Sequence, residues 1–277
     1  MVNDSGVNNS GVRRFGPPEP GEIVVIKVGG STLGEGDSTS PDIIELARRG
    51  FKPVVVHGGG AVISDWVKRL GIQPEFVRGL RRTDPETLNV AVAVLCGLVN
   101  AQLVAELNGL DGRAIGLSGI SGGMLKARVL SEDLGLVGEV VEVDPATIHT
   151  ALDAGMIPVI APAATNIEAT GNEDAILNIN ADTSAGHIAR QLEAAQIIFQ
   201  TDVSGILDVN RRLIPRMTKR QAGDLIAGGI AAGGMIPKIE ACIMALETAR
   251  TGHIVDGRVA EALLACVEGR DVGTRII

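Results

Sequence analysis

The chemistry-bearing residues of this chain sit where short apolar runs end. Lys27 stands inside the run Ile23 to Val28 and is followed by Gly29 and Gly30. An ammonium group in an apolar strand needs an anionic partner, because burying it alone is expensive. The two glycines let a backbone turn approach a ligand and present its N–H groups. A lysine snorkelling past a glycine turn is the plainer alternative, yet the chain has only six lysines and one stands here. His57-Gly58-Gly59-Gly60 follows a second apolar run and precedes a helical pattern. Helix-end amides with glycine backbone suit a phosphate or a carboxylate. Neither G-x-G-x-x-G nor G-x-x-x-x-G-K-[ST] occurs anywhere, so dinucleotide-type and Walker-type phosphate loops lose support. Asn178-Ile179-Asn180-Ala181-Asp182-Thr183 opens a helix, where Asn180 or Asp182 can cap. Thr201 to Ile206 and Gly233 to Lys238 are two further loops; the second again aims a lysine from behind a glycine pair. Each alone also reads as an ordinary surface turn.

The elements that must position these groups follow from hydrophobic periodicity. Runs at Ile23–Val28, Val54–His57, Ala114–Leu117, Ile157–Ala161, Ile197–Thr201 and His253–Asp256 are apolar on both faces, as strands of a covered parallel sheet are. Between them, helical spacing predicts helices over Pro41–Gly50, Ala61–Leu70, Pro85–Leu107, Pro145–Ala154, Thr183–Ala194, Lys219–Ala227, Lys238–Ala249 and Val259–Cys266. The second carries Val62, Ile63, Trp66, Val67 and Leu70 on one stripe; the third carries Leu88, Val92, Leu95, Val99, Leu103 and Leu107. Leu125–Val143 alternates and reads as antiparallel hairpins. The fold class is therefore α/β, an open, mostly parallel sheet with helices on both faces. Ligands of such sheets bind beyond the carboxyl ends of the strands, where the residues above lie. Residues 1–21 read as a flexible tail, and the polar stretch Thr165–Asp174 suggests a boundary near residue 170 between lobes 22–170 and 171–277.

Composition narrows the function. The 277 residues carry a net charge of −8 with 45% hydrophobic content, which excludes disorder for most of the chain and argues against a dedicated nucleic-acid binder. Four Phe and one Trp, with no Tyr, supply few stacking platforms. Cys96, Cys242 and Cys266 are widely spaced, which suggests neither a disulfide framework nor a zinc site. The histidines have no metal spacing. The start lacks the apolar core of a secretory signal, and no apolar run approaches the ~20 residues of a bilayer span. A soluble cytoplasmic protein is expected.

Taken together, the segments resemble the amino acid kinase family. Lys27 with Gly29-Gly30, the His57 triglycine, Asn178 to Asp182, Thr201 to Gly205 and Gly233 to Lys238 occur in the family's order and at roughly its spacing. Arg78-Gly79-Leu80-Arg81-Arg82-Thr83-Asp84 resembles its R-G-L-R-x-T segment. Gly138-Glu139-Val140, Pro158 to Pro162 and Gly273-Thr274 also match, so that the likeness covers about residues 22–277. Within the family the chain looks like the branch that phosphorylates the side-chain carboxylate of N-acetyl-L-glutamate with ATP, giving an acyl phosphate for arginine biosynthesis. A kinase of a carrier-linked aminoadipate or glutamate on the same fold is the alternative.

The resemblance implies a role for each matched residue. Lys27 and Lys238 would stabilise the transferring phosphoryl group, and Asp182 would hold both ammonium groups. Gly59, Gly60, Arg81 and Asn178 would bind the amino-acid substrate, with Arg81 on its α-carboxylate. Gly29 and Gly30 would bind phosphate oxygens, while Thr201, Asp202, Val203, Ser204, Gly205, Ile206, Leu207, Gly233, Gly234 and Met235 would line the ATP site. Residues 22–170 become the substrate lobe and 171–277 the ATP lobe. Mg²⁺ would be carried by the nucleotide, with no protein metal site. His57 is expected to be structural, since a carboxylate nucleophile is already ionised near pH 7. The chain departs from the family pattern at Ile120-Ser121, where a Lys-Asp pair is common, and at Gln200, where an apolar residue is usual. The Asn, Gly and Pro of the amino-terminal extension are poor helix formers, so the clear amphipathic helix that the family associates with arginine-inhibited hexamers is lacking, and the resemblance implies a homodimer without arginine feedback.

Overall fold

The runs of Val, Ile and Leu do become strands, and they meet in one sheet. In the computed structural model, which describes residues 16–29, 38–172 and 174–277, β1 spans Ile23–Val28 and β2 Lys52–His57. A short hairpin follows, β3 (Phe76–Val77) and β4 (Leu80–Arg81). Next come β5 (Ala114–Ser118), β6 (Leu125–Val129), β7 (Gly138–Val143), β8 (Ile157–Ala161), β9 (Ala163–Asn166) and β10 (Ile176–Asn178). The last strands are β11 (Gln196–Thr201), β12 (Arg216–Met217), β13 (Thr251–Asp256) and β14 (Thr274–Ile276). The main sheet has the order β12-β14-β13-β11-β1-β2-β8-β5. Its six central and outer strands from β13 to β5 run parallel, and β14 with β12 runs against them. Gly30 and residues 1–15 of the expected tail lie outside the described residues.

Helices α1 (Thr39–Arg48), α2 (Gly60–Arg69), α3 (Pro85–Val92), α4 (Asn100–Gly109), α5 (Ala146–Asp153), α6 (Ala181–Gln191), α7 (Lys219–Ala227), α8 (Met235–Ala245) and α9 (Ala262–Val267) cover the sheet. Alternate strand residues feed two cores. Val25, Val54, Ile197 and Phe199 pack with α5, α6 and α8, while Val24, Ile26, Val55 and Ile198 pack with α1, α4 and α9. Each strand buries both faces, which is why no polar alternation marks them. The Leu125–Val143 stretch pairs antiparallel as expected, with a bulge between Lys126 and Ala127. It belongs to a second sheet, β10-β9-β6-β7, whose strands β9 and β10 the periodicity does not mark. The polar stretch expected to mark a lobe boundary begins inside β9, and the boundary near residue 170 falls in the sequence between the paired strands β9 and β10.

Two expectations need correcting. On α2 only Ile63 and Val67 are buried, whereas Trp66 and Leu70 are exposed. The helix rests on one narrow seam against α3 and the turn after it. The apolar length of the third helix was also underestimated. Residues Pro85–Gly109 form one helical rod long and apolar enough, by composition, to cross a membrane. In this fold its inner side, with Leu88, Leu95, Val99, Leu103 and Leu107, is buried in protein. The rod is not uniform: Ala93–Val99 is π-helical, between α3 and α4.

The closest helix pair is α6 with α8. A Cβ at Gly186 would lie 2.9 Å from Ala241 Cβ and 3.0 Å from its backbone. Glycine thus sets the distance between the two helices. Gly186→Val is expected to force them apart and to cost about 1–3 kcal/mol, the usual cost of overpacking. Urea unfolding checks this; an unchanged midpoint would mean that the helices have room.

Candidate active site

β1 lies at the point where the chain reverses direction across the sheet, with β2, β8 and β5 to one side and β11 and β13 to the other. A crevice forms beyond the strand ends at such a point. Lys27 leaves β1 on the α6 side. Its Nζ lies 2.8 Å from Asp182 Oδ1, and Lys238 Nζ lies 2.8 Å from Asp182 Oδ2. Lys238 also donates to Gly234 O at 3.3 Å. Asp182 is held in the first turn of α6, where Asn180 caps the helix by accepting from Asp182 N and Thr183 N. Of the two capping candidates, Asn180 therefore caps, and Asp182 is left for the lysines. Lys238 comes from the first turn of α8. Side-chain exposure of Lys27 and Asp182 is 8% each and of Lys238 17%.

Burial is the largest influence on Lys27 and lowers its pKa; Asp182 opposes the drop and the Lys238 charge adds to it. Burial alone would raise the Asp182 carboxyl, but the two lysines outweigh it and hold it below the usual carboxylate range. One carboxylate thus serves two ammonium groups and leaves one positive charge in excess.

Lys27 and Asp182 line a cleft of about 220 Å³ together with Gly58, Gly59, Gly60, Arg81, Asn178 and Asn180. Arg81, on the β3–β4 hairpin, shares that lining. Its Nη2 donates to Gly60 O at 2.8 Å and Ser64 Oγ at 2.7 Å, and its guanidinium carbon lies 4.8 Å from the centre of the Phe76 ring. Nη1 is buried with no protein acceptor among the described residues. Asn178 Nδ2 donates to Thr83 Oγ1 at 3.2 Å, and Thr83 Oγ1 donates to Arg81 O at 2.9 Å. Thr83, Phe76 and Ser64 were not singled out from sequence. Thr83 stands within the Arg81 segment, and Phe76 is one of few aromatics, so both left a faint signal; Ser64 left none.

His57 ends β2. Its Nε2 lies 3.1 Å from Asn100 Nδ2 and its Nδ1 2.9 Å from Gly58 O. An amide nitrogen can only donate, so Nε2 accepts and Nδ1 carries the proton. Burial lowers the His57 pKa to about 4, with the Lys27 charge acting in the same direction.

The remaining described residues of the expected set do not appear in the lining of this cleft. Gly29 is buried at the end of β1, and Gly30 lies outside the described residues. Thr201 ends β11, where its Oγ1 lies within hydrogen-bond distance of Val203 O at 2.9 Å and Val255 O at 3.1 Å. Asp202, Val203 and Ser204 form the exposed start of the following loop. Gly205 has φ +140° and admits no Cβ, since one would lie 2.7 Å from Thr274 Oγ1. Ile206 N donates to that same hydroxyl at 2.8 Å, and Leu207 bridges to Leu213. Gly234 and Met235 start α8. Gly233 lines a neighbouring cavity of about 580 Å³ that shares Leu80, Val137 and Asn180 with the cleft. Ile120 and Ser121 do not line the cleft; Ser121 Oγ accepts from Ser118 N at 3.0 Å. Among the described residues no cluster of His, Cys, Asp or Glu could hold a metal ion.

Known proteins resemble this chain. The amino acid kinase family matches residues 22–256. The chain is 45% identical over 266 residues to the acetylglutamate kinase of Synechococcus sp. (strain RCC307), covering 93% of this chain and 88% of the relative. It is 42% identical over 260 residues to that of Bradyrhizobium diazoefficiens, covering 88% and 86%. Among solved structures, N-acetylglutamate synthase from Neisseria gonorrhoeae complexed with coenzyme A and N-acetyl-glutamate matches with a TM-score of 0.79 at 25% identity; the match covers 93% of this chain and 59% of that longer one. Carbamate kinase from Giardia lamblia bound to AMP-PNP, at 18% identity and a TM-score of 0.67, shares the fold.

Replacing Asp182 by Asn would leave two ammonium groups without their carboxylate. Breaking a buried pair this way costs about 3–5 kcal/mol. The folded pKa of Lys27 would drop further below its unfolded value of about 10.4. The unfolded state then binds more protons, so the loss is largest near neutral pH and shrinks as pH rises toward that value. Thermal unfolding of Asp182→Asn at a series of pH values checks the sign; a deficit that grows with pH would contradict it.

Proposed function

The chain belongs to the amino acid kinase family, and from that premise we propose that it transfers the terminal phosphoryl group of ATP to the side-chain carboxylate of N-acetyl-L-glutamate, yielding an acyl phosphate for arginine biosynthesis. The observation that carries this reading is a cleft lined by two separate cationic groups. Arg81, whose buried Nη1 has no acceptor among the described residues, shares the lining with Lys27, which is tied through Asp182 to Lys238. The same lining holds the Asn178 amide and apolar Ile63, Leu95 and Ile179. A dicarboxylate with a neutral amide near one end complements that lining.

In this mechanism Arg81 takes the α-carboxylate and Asn178 bonds the acetamido group. The free amides of Gly59 and Gly60 face the reacting carboxylate. An oxygen of that carboxylate attacks the γ-phosphorus, the bond to the β–γ bridging oxygen breaks, and ADP leaves. The carboxylate is already ionised, so no general base is needed. Positioning and charge neutralisation do most of the work in such a transfer. Lys27 and Lys238 face the migrating group from its two sides, and their excess positive charge is available to it. ATP would rest on Gly29, Gly30, the Thr201–Leu207 loop and Gly233–Met235, on the 171–277 half. The strands of residues 22–170 and 171–277 fill opposite sides of the sheet, which supports assigning substrate to one and nucleotide to the other. The protein offers Mg²⁺ no carboxylate cage, since Asp182 is taken up by two lysines and no metal cluster occurs among the described residues. Magnesium would enter with the nucleotide and offset the charge of its phosphates, which fits a donor set without a carboxylate cage.

Trapping the acyl phosphate with hydroxylamine tests the reading: N-acetylglutamate plus ATP should give hydroxamate, and none would reject it. Lys238→Ala is expected to lower kcat about 100-fold or more with a smaller change in substrate KM. Arg81→Ala is expected chiefly to raise KM for N-acetylglutamate, by about 10–100-fold. An unchanged KM would place the carboxylate clamp elsewhere.

We read the enzyme as a cytoplasmic homodimer. Ala93, Gly97, Ala101 and Ala105 form an exposed line at four-residue spacing on the rod that packs beside edge strand β5. An apolar helix face next to an open sheet edge suits a two-fold interface. Sedimentation velocity should give twice the chain mass for the wild type and the chain mass for Ala101→Arg; a monomeric wild type would reject the dimer.

A further inference from the structure

We propose that Asn100 is a positioning residue for phosphoryl transfer, acting through His57 on the Gly58–Gly60 turn. The proposal rests on the reading that this turn receives the reacting carboxylate.

Asn100 is a buried amide on an otherwise apolar helix face, at the first residue after the π-helical segment. Its Nδ2 lies 2.9 Å from Val159 O and 3.3 Å from Leu117 O, on neighbouring strands β8 and β5. It lies 3.1 Å from His57 Nε2, at the end of β2. Its two amide hydrogens serve the two nearer acceptors, Val159 O and His57 Nε2, so that one side chain ties β8 to the end of β2. Space is reserved for it: a Cβ at Gly116 would lie 2.2 Å from Asn100 Oδ1. The π-helical segment itself presses on the turn, because a Cβ at Gly59 would lie 2.7 Å from Leu95 Cδ2 and 3.5 Å from Val99 Cγ2.

The imidazole passes this order to the turn. With Nε2 accepting from Asn100, Nδ1–H donates to Gly58 O at 2.9 Å, while Gly58 N donates to Val28 O at 3.0 Å. The Gly58 residue is therefore held at both its N–H and its C=O. A trans peptide fixes the next N–H opposite to the carbonyl. Holding Gly58 O toward His57 consequently turns Gly59 N–H the other way. That N–H meets no protein acceptor among the described residues. Asn100 thus fixes the imidazole tautomer, the tautomer fixes the peptide plane, and the plane aims an amide at the substrate. An error of about 1 Å in such an aim costs on the order of 100-fold in rate.

Asn100→Asp keeps the shape and replaces the donor by an acceptor. We expect kcat/KM for N-acetylglutamate to fall about 10–100-fold, with KM for ATP unchanged. Asn100→Ala, which removes the donor without adding a charge, carries the same comparison should the aspartate variant not fold. A lower melting temperature with unchanged kcat and KM in the folded enzyme would reduce Asn100 to a structural role and overturn the proposal. The ¹⁵N shifts of His57 in the wild-type protein give an independent check. They should report a neutral ring protonated at Nδ1, and a ring protonated at Nε2 would overturn it. If the wild type does not phosphorylate N-acetylglutamate, the functional reading fails, while the His57 shifts still decide the tautomer.

Discussion

The structure turns on one carboxylate shared by two ammonium groups. Lys27 and Lys238 each lie 2.8 Å from an Asp182 oxygen. Two lysines would not share a dry wall without a counter-charge, since like charges at short range repel strongly at low dielectric. A single aspartate makes the pair tolerable without neutralising it. The arrangement is a poor way to gain stability, because the desolvation of three charges offsets most of the Coulombic attraction. Its remaining positive charge faces a cleft, and an anion there completes the neutralisation that the protein leaves unfinished.

The fold meets this demand with three rigid anchors. The carboxyl end of β1 delivers Lys27, the capped first turn of α6 delivers Asp182, and the first turn of α8 delivers Lys238. The contact of Gly186 with Ala241 holds α6 against α8, one turn from the ion pairs. The opposite wall is built differently. Arg81 sits on a two-stranded hairpin steadied by Gly60 O, Ser64 and Phe76, with Thr83 joining it to Asn178. One wall is made of helix ends on the main sheet, and the other of hairpins.

This difference explains what could be read from sequence. The strands of the main sheet were legible because burial on both faces leaves an unbroken apolar run, and Lys27 stood out within one for the same reason. Lys27, Gly59, Gly60, Arg81, Asn178 and Asp182 do meet at one cleft. The strands β9 and β10 were missed because they are short and flank a polar stretch. Residues such as Ser64 act through a single hydrogen bond to a neighbour across the fold, a relation with no period in sequence. The α2 stripe was read too wide because periodicity shows which residues could face a core and not how broad the seam is. The π-helical segment is invisible to a 3.6-residue template. Asn100 is absent from the apolar stripe because a polar residue adds nothing to it, although it is buried beside Val99.

The state of His57 bears on which chemistry the cleft can support. Its ring is the imidazole nearest the glycine turn, and it is unfit as a base there. Its pKa is held near 4 by burial, its Nε2 lone pair is taken by Asn100, and its Nδ1 proton is given to Gly58 O. A site that had to deprotonate a hydroxyl or an amine would need a group poised near the working pH. This cleft keeps its nearest candidate neutral and occupied. Such a site suits an acceptor that arrives already ionised, and a carboxylate is the acceptor that meets this condition near neutral pH.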